Sequence, residues 1–137
     1  MQKVINGILV QDKKLIILKK EVNGKSSWIL PGGKPEPGES NLICLTREIA
    51  EELPFLKLGG WFYYYGSFGG ISPHKNLPIL AEVYRHHGFM NLDLRVSANP
   101  DEPIKEARQL SYDELSGLEL SETTQKIIQS LRNRRYL

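Results

Sequence analysis

The chain has one cysteine, Cys44, in 137 residues, so no internal disulfide framework is available to it. It has no long uncharged apolar run and no leader-like N-terminus, which excludes a spanning helix and favours a cytoplasmic protein. Charge of either sign is not in excess. A formal net charge of +2 gives no broad field for holding nucleic acid or an anionic membrane, and small anionic ligands suit this balance better. No internal repeat is present. What remains, 40% hydrophobic and 25% charged, predicts one soluble domain over residues 1–137 with a sizeable core.

The informative stretch is Trp28 to Phe55, WILPGGKPEPGESNLICLTREIAEELPF. A Pro-Gly-Gly turn opens it, a Pro/Gly-rich loop continues to Gly38, and a helix follows with Ser40 as its N-cap. Leu42, Leu45, Ile49 and Leu53 have the spacing of a buried stripe. Beside that stripe, Glu48 stands three residues before Glu51 and four before Glu52, so the three carboxylates are predicted on one face, where they repel unless a cation sits among them. Hard oxygen donors point to Mg²⁺ or Mn²⁺, which leave part of their coordination for water and phosphate oxygens. Arg47, four before Glu51, can orient a carboxylate at the edge of this row. A solvated acidic helix end is the plainer reading, and it leaves the glycine turn and the Arg-Glu pair as coincidence. Cys44 falls one turn before Glu48 and is read as a small packing residue.

Gly33, Glu39, Arg47-Glu48-Ile49 and Glu51-Glu52 match, at every spacing, the pattern G-x5-E-x7-R-E-U-x-E-E-x-G-U of the Nudix box, with U apolar. This stretch therefore resembles the Nudix hydrolase family, and Trp28-x-Leu30-Pro31-Gly32-Gly33 is similar to the lead-in of that family. One position departs: Pro54 replaces the last glycine, so the helix is expected to stop just after Glu52 rather than in a left-handed cap. The resemblance implies an α/β/α sandwich with a central mixed sheet between the motif helix and a C-terminal helix. It also implies hydrolysis of a phosphoanhydride bond in a nucleoside diphosphate derivative: a nucleoside triphosphate, a nucleotide sugar or a dinucleoside polyphosphate. It places Glu48, Glu51, Glu52 and the Gly32 carbonyl at the metal, and Arg47, Glu51 and Glu52 in catalysis. Glu39 becomes loop support, and Glu102 is the further catalytic carboxylate expected from the segment before a late strand, with Asp101 and Glu106 close behind. A homodimer is compatible with this family. Two other readings stay open: a nucleotide-binding module without turnover, and an RNA-end processing enzyme, for which the arginines at 132–135 are the one obvious basic source.

Elsewhere, Val4 to Gln11 and Leu15 to Lys20 read as a hairpin around Asp12-Lys13-Lys14, then a loop to Ser27 and a brief strand Trp28 to Leu30. An aromatic strand is predicted over Leu56 to Phe68, a loop from Gly69 to Asn76, and strands over Leu77 to His87 and Ile104 to Leu110. Ser121 to Tyr136 reads as a closing helix with Ile127, Ile128 and Leu131 on its apolar side. Candidates for phosphate contact are Lys34, His74 and Lys75, with Lys19, Lys20 and Lys25 behind them; each of these has exposure at a solvated rim as its ordinary explanation. The rings of Trp61 to Tyr65 could stack a nucleobase, although core packing is their commoner use.

Overall fold

The computed structural model describes residues 1–137. Strand β1 (Gln2–Ile8) lies inside a mixed four-stranded sheet. It pairs in parallel with β8 (Pro78–His87) and antiparallel with β5 (Gly32–Gly33), while β7 (Trp61–Ile71) forms the far edge against β8. A second, antiparallel sheet is built on β3 (Lys14–Val22), flanked by β10 (Ile104–Leu110), the short β2 (Val10–Gln11) and β4 (Lys25–Ile29). Two short strands, β6 (Lys57–Leu58) and β9 (Met90–Asn91), pair with each other. The helices are α1 (Asn41–Glu52), α2 (Tyr112–Leu115) and α3 (Glu122–Asn133).

Alternation along β1 makes the layers. Ile5 packs with Cys44, Leu45 and Ile49 of α1, and Gly7 lies under the same side chains. Val4 and Ile8 point the other way, into a core shared with Trp28, Tyr65, Ala81, Val83 and the Ile127, Ile128 and Leu131 stripe of α3. The mixed sheet is thus held between α1 and α3, the α/β/α sandwich expected. Truncating any of the fully buried members of this core to alanine removes about 2–5 kcal/mol, a large share of a domain's stability.

The structure corrects several local readings. The first apolar run does not form one hairpin strand: only Val10 and Gln11 pair with β3, because β1 crosses to the other sheet after Ile8. Asp12 and Lys13 take positive φ angles of 54° and 58°, making the two-residue turn that the twist of a hairpin favours without its usual glycine. The supposed loop at Val22 to Ser27 is itself a hairpin, turned at Asn23-Gly24. That Asn-Gly pair was the readable signal. Strand β7 runs on to Ile71, through the glycines read as loop, and α3 stops at Asn133 instead of Tyr136. Leu42 is 45% exposed and outside the buried stripe, its place on the core side taken by Cys44. No helix is long and apolar enough to cross a membrane.

Candidate active site at the glycine turn

The site is assembled where α1 meets the edge strand β5. Ser40 caps α1, its hydroxyl accepting from the Ile43 N–H, and the chain leaves the helix at Leu53, whose φ of −128° and ψ of 69° lie outside the helical region that a following proline disfavours. The helix therefore ends just after Glu52, as Pro54 dictates. At the turn, Gly32 has φ 143° and lies so close to β1 that a Cβ there would stand 1.9 Å from the Ile5 carbonyl oxygen. Only glycine fits. A Cβ on Gly33 would stand 2.4 Å from the Glu48 carboxyl carbon, so the acid lies directly on the backbone of the turn.

Asn6 fastens this turn from below, donating from Nδ2 to the carbonyls of Leu30 and Pro31 at 3.3 Å each, while the Gly7 N–H donates to Pro31. Asn6 was not picked out from the sequence, yet it is the one polar side chain in the run from Val4 to Leu9, and that was a usable signal.

The three glutamates have different environments. Glu52 is 7% exposed, and its Oε1 accepts from the Gly32 N–H at 2.8 Å. Burial pushes its carboxyl well above the ordinary range, the Gly32 N–H opposes this, and the negative charges of Glu48 and Glu102 add to the rise. Glu48 is half-buried and is also shifted upward, chiefly by desolvation, with Arg47 holding the shift back. Glu51 is 57% exposed at its side chain and touches only Arg47, at 3.5 Å.

Arg47 is the organiser. Its Nε and Nη2 donate to the two oxygens of Glu39 at 2.7 and 2.9 Å, Nη1 donates to Glu48 at 2.9 Å, and Nη2 also reaches the Lys34 carbonyl. This fork holds the Glu39 carboxyl down at about 2, with help from the Glu36 N–H. Beneath it, Cys44 is fully buried with its thiol pushed up to about 11 by desolvation, neutral and 3.7 Å from the Gly33 carbonyl.

The structure brings Gly32, Glu48 and Glu52 together and leaves Glu51 on the rim. No three acidic, histidine or cysteine side chains converge closely enough to enclose an ion, since Arg47 draws Glu48 and Glu51 to itself. The donor set nevertheless fits a hard divalent cation. Every donor is oxygen, and Glu48 and Glu52 are desolvated and mutually repelling. Each uses only its Oε1 in hydrogen bonds, leaving Oε2 for a ligand. Glu102, just before β10, is near enough for its charge to be felt at Glu52, whereas Glu106 is paired with Arg108 and Asp101 is exposed.

A pocket opens beside the turn, on the face of the mixed sheet that α3 covers. Lys20 and His74 line it; Lys34 and Lys75 are exposed and do not. His74 Nε2 lies 3.0 Å from Ser27 Oγ, a partner the sequence did not suggest because it comes from the unrecognised hairpin. None of the rings of Trp61 to Tyr65 lines this pocket. Trp61 lies tilted against His87, and Tyr65 is in the core. Of the C-terminal arginines, Arg132 lies over the Tyr112 ring and Arg134 over Tyr65, so two of them are engaged in packing.

A mixed sheet between two helices, with helix glutamates set on a glycine turn at its edge, defines an α/β/α protein with an acidic site. The family model described as the NUDIX domain matches residues 1–131, and the chain belongs to that family, whose hydrolases generally use divalent metals. It is 42% identical over 52 residues to the uncharacterized Nudix hydrolase YvcI of Bacillus subtilis, covering 38% of this chain and 32% of that one. It is 28% identical over 126 residues to the mRNA-decapping protein g5R of African swine fever virus, covering 85% and 50%. These matches span at most about half the length of those relatives. The crystal structure of the MutT NUDIX hydrolase from Burkholderia pseudomallei shares the fold, with a TM-score of 0.76 over 93% of this chain and 95% of that one, at 23% identity.

Proposed function

We propose that the protein is a pyrophosphohydrolase that cleaves a phosphoanhydride bond in a nucleoside diphosphate derivative, with Mg²⁺ or Mn²⁺ held by Glu48 and Glu52 and completed by Glu51 and the Gly32 carbonyl. The observation that carries this reading is the seating of Glu52 on the Gly32 N–H with Glu48 packed on Gly33. Two desolvated acids are kept side by side against bare backbone, a costly arrangement unless a cation and a phosphate chain use it. When bound, the ion neutralises pyrophosphate charge and acidifies water.

The chain's own groups do the rest. The Gly32 N–H fixes one oxygen of Glu52, so its other oxygen has a defined direction from which to hold or accept a water proton. Arg47 fixes Glu48 while Glu39 fixes Arg47, and the tight turn lets a phosphate approach the main chain. Glu102 adds negative charge from the opposite sheet and serves as a further carboxylate. Of the expected phosphate contacts, His74 and Lys20 line the pocket. The likeness to a viral decapping protein raises an RNA-end substrate as a second reading, opposed by the engagement of Arg132 and Arg134 with aromatic rings.

The test is a panel of nucleoside triphosphates, nucleotide sugars and dinucleoside polyphosphates, plus capped and triphosphorylated RNA, assayed for phosphate or pyrophosphate release with and without Mg²⁺. Metal-dependent release from at least one small nucleotide is expected. Binding without release on every member overturns the reading.

A further inference from the structure

We infer that the pocket between the glycine turn and the first turn of α3 is a phosphate subsite, formed by Lys20, His74, Thr123 and the α3 N-terminus, and that it leaves the nucleobase outside. This rests on the hydrolase reading for its place in catalysis, but its geometry stands separately. The pocket encloses about 110 Å³. Whole small-molecule sites start near ~300 Å³, so this one has room for a fragment of a substrate. Seven of its thirteen lining residues carry polar side chains, and no Phe, Tyr or Trp ring lines it for a base to stack on.

What converges there is positive or donating. Lys20, from β3, lines the pocket, and its charge acts on Glu48, Glu52 and His74 alike. The Nδ1 atom of His74 is shielded from solvent without any hydrogen-bond partner, while its Nε2 is occupied by Ser27. Once the ring turns to bring Nδ1 into the pocket, a protonated Nδ1 donates to a phosphate oxygen, and the phosphate charge offsets the desolvation and lysine charges that lower its pKa.

The third element is the start of α3, a twelve-residue helix whose N-cap, Ser121, is itself buried. Thr123 is only 5% exposed and lines the pocket, and its hydroxyl makes no hydrogen bond within the chain, unlike the neighbouring Thr124, which pairs with Ser121. The hydroxyl itself is not sealed from solvent, so it is open to a ligand oxygen that enters the pocket. The helix end adds its partial positive charge. Glu122 accepts from the Ile71 N–H and pairs with Lys126, outside the pocket lining, while Glu48 and Glu52 stand at the pocket's edge on Gly33 and Gly32, where a cation would sit between them and the phosphate. Substrate selection then follows the phosphate chain: nucleotides that differ only in base are accepted alike, and those with a further phosphate beyond the scissile pair are preferred.

Inorganic tripolyphosphate, titrated calorimetrically into the whole protein in EDTA at low salt, tests this without turnover. One-site binding is expected, weakened about tenfold by Thr123→Val and by at least as much by Lys20→Met, since each removes a charge-assisted contact. Thr123→Ser, which keeps the hydroxyl, restores binding, and Lys57→Met on β6 leaves it unchanged. Thermal melts confirm that each variant is folded. No binding, equal binding by Thr123→Val, or an equal loss in Lys57→Met overturns the subsite. If nucleotides are turned over with an unaltered KM in Thr123→Val, the subsite falls while the hydrolase stands. If tripolyphosphate binds in a Thr123-dependent way but nothing is hydrolysed, the subsite stands and the hydrolase reading falls.

Discussion

Glu52 Oε1 accepts a hydrogen bond of 2.8 Å from the backbone N–H of Gly32, twenty residues earlier, so the end of α1 is latched to the turn that begins the motif. The latch buries a carboxylate for which the protein supplies only one hydrogen bond. Its consequences for stability and for activity have opposite signs.

Glu52→Gln keeps the acceptor for Gly32 and removes the buried charge. Because the folded carboxyl titrates well above its unfolded value, Glu52 favours the folded state at pH below ~4.5 and loses that contribution as pH rises through the shifted value. In EDTA near pH 8 the variant is therefore expected to be more stable by ~1 kcal/mol or more, raising Tm by about 3–5 °C, with the gain vanishing near pH 4. Activity with saturating Mg²⁺ is expected to fall by about 10³-fold or more. Melting curves across pH and a kcat measurement check both halves.

The two glycines of the turn are expected to separate fold from function. Gly32→Ala drives a Cβ into the Ile5 carbonyl at a φ that alanine avoids, costing at least ~2 kcal/mol and reducing the yield of folded protein. Gly33→Ala meets only the movable end of Glu48, so the fold survives with a loss under ~1 kcal/mol, while displaced Glu48 lowers Mg²⁺ affinity at least about tenfold. Urea melts and metal titrations distinguish the two variants.

Arg47→Lys retains the charge and loses the fork that spans Glu39 and Glu48. With no second donor arm, the Glu48 carboxylate is no longer oriented, and kcat/KM is expected to drop about 10–100-fold. The Glu39 carboxyl should also rise from about 2 toward the ordinary range, visible by NMR titration.

Pro54→Gly restores the glycine of the family pattern at an exposed site. Since α1 already ends at Leu53, whose N–H is bonded to the Ile49 carbonyl, no new cap is needed. The variant is expected to lose about 0.4–1 kcal/mol through greater freedom of the unfolded chain, with unchanged kcat.

The motif helix, its Ser40 cap, its end after Glu52 and the α3 stripe were legible because each depends on short-range pattern: spacing, capping chemistry and the geometry of proline. The crossing of β1 into the mixed sheet was not, since parallel pairing with β8 joins residues more than seventy positions apart and leaves no local mark. At the site, the ligand types were readable from Glu48, Glu51 and Glu52, but their unequal depth was not. Helical spacing puts all three on one side of α1, and only the packing of that side against β5 decides that Glu52 is buried while Glu51 is exposed. Thr123 was unreadable for a similar reason, because a threonine in a first helical turn is ordinary until a pocket is found beside it.

Arg47, bonded at once to Glu39 and Glu48 and in reach of Glu51 and Glu36, acts as a resident countercharge for the acidic cluster. The chain can therefore complete its architecture before any ion arrives, unlike small domains that collapse only around their metal. Exhaustive chelation is expected to yield an idle but intact protein, and loading becomes a local event in which the unused oxygen of Glu48 would take the cation while its other oxygen stays on the guanidinium and the sandwich stays still.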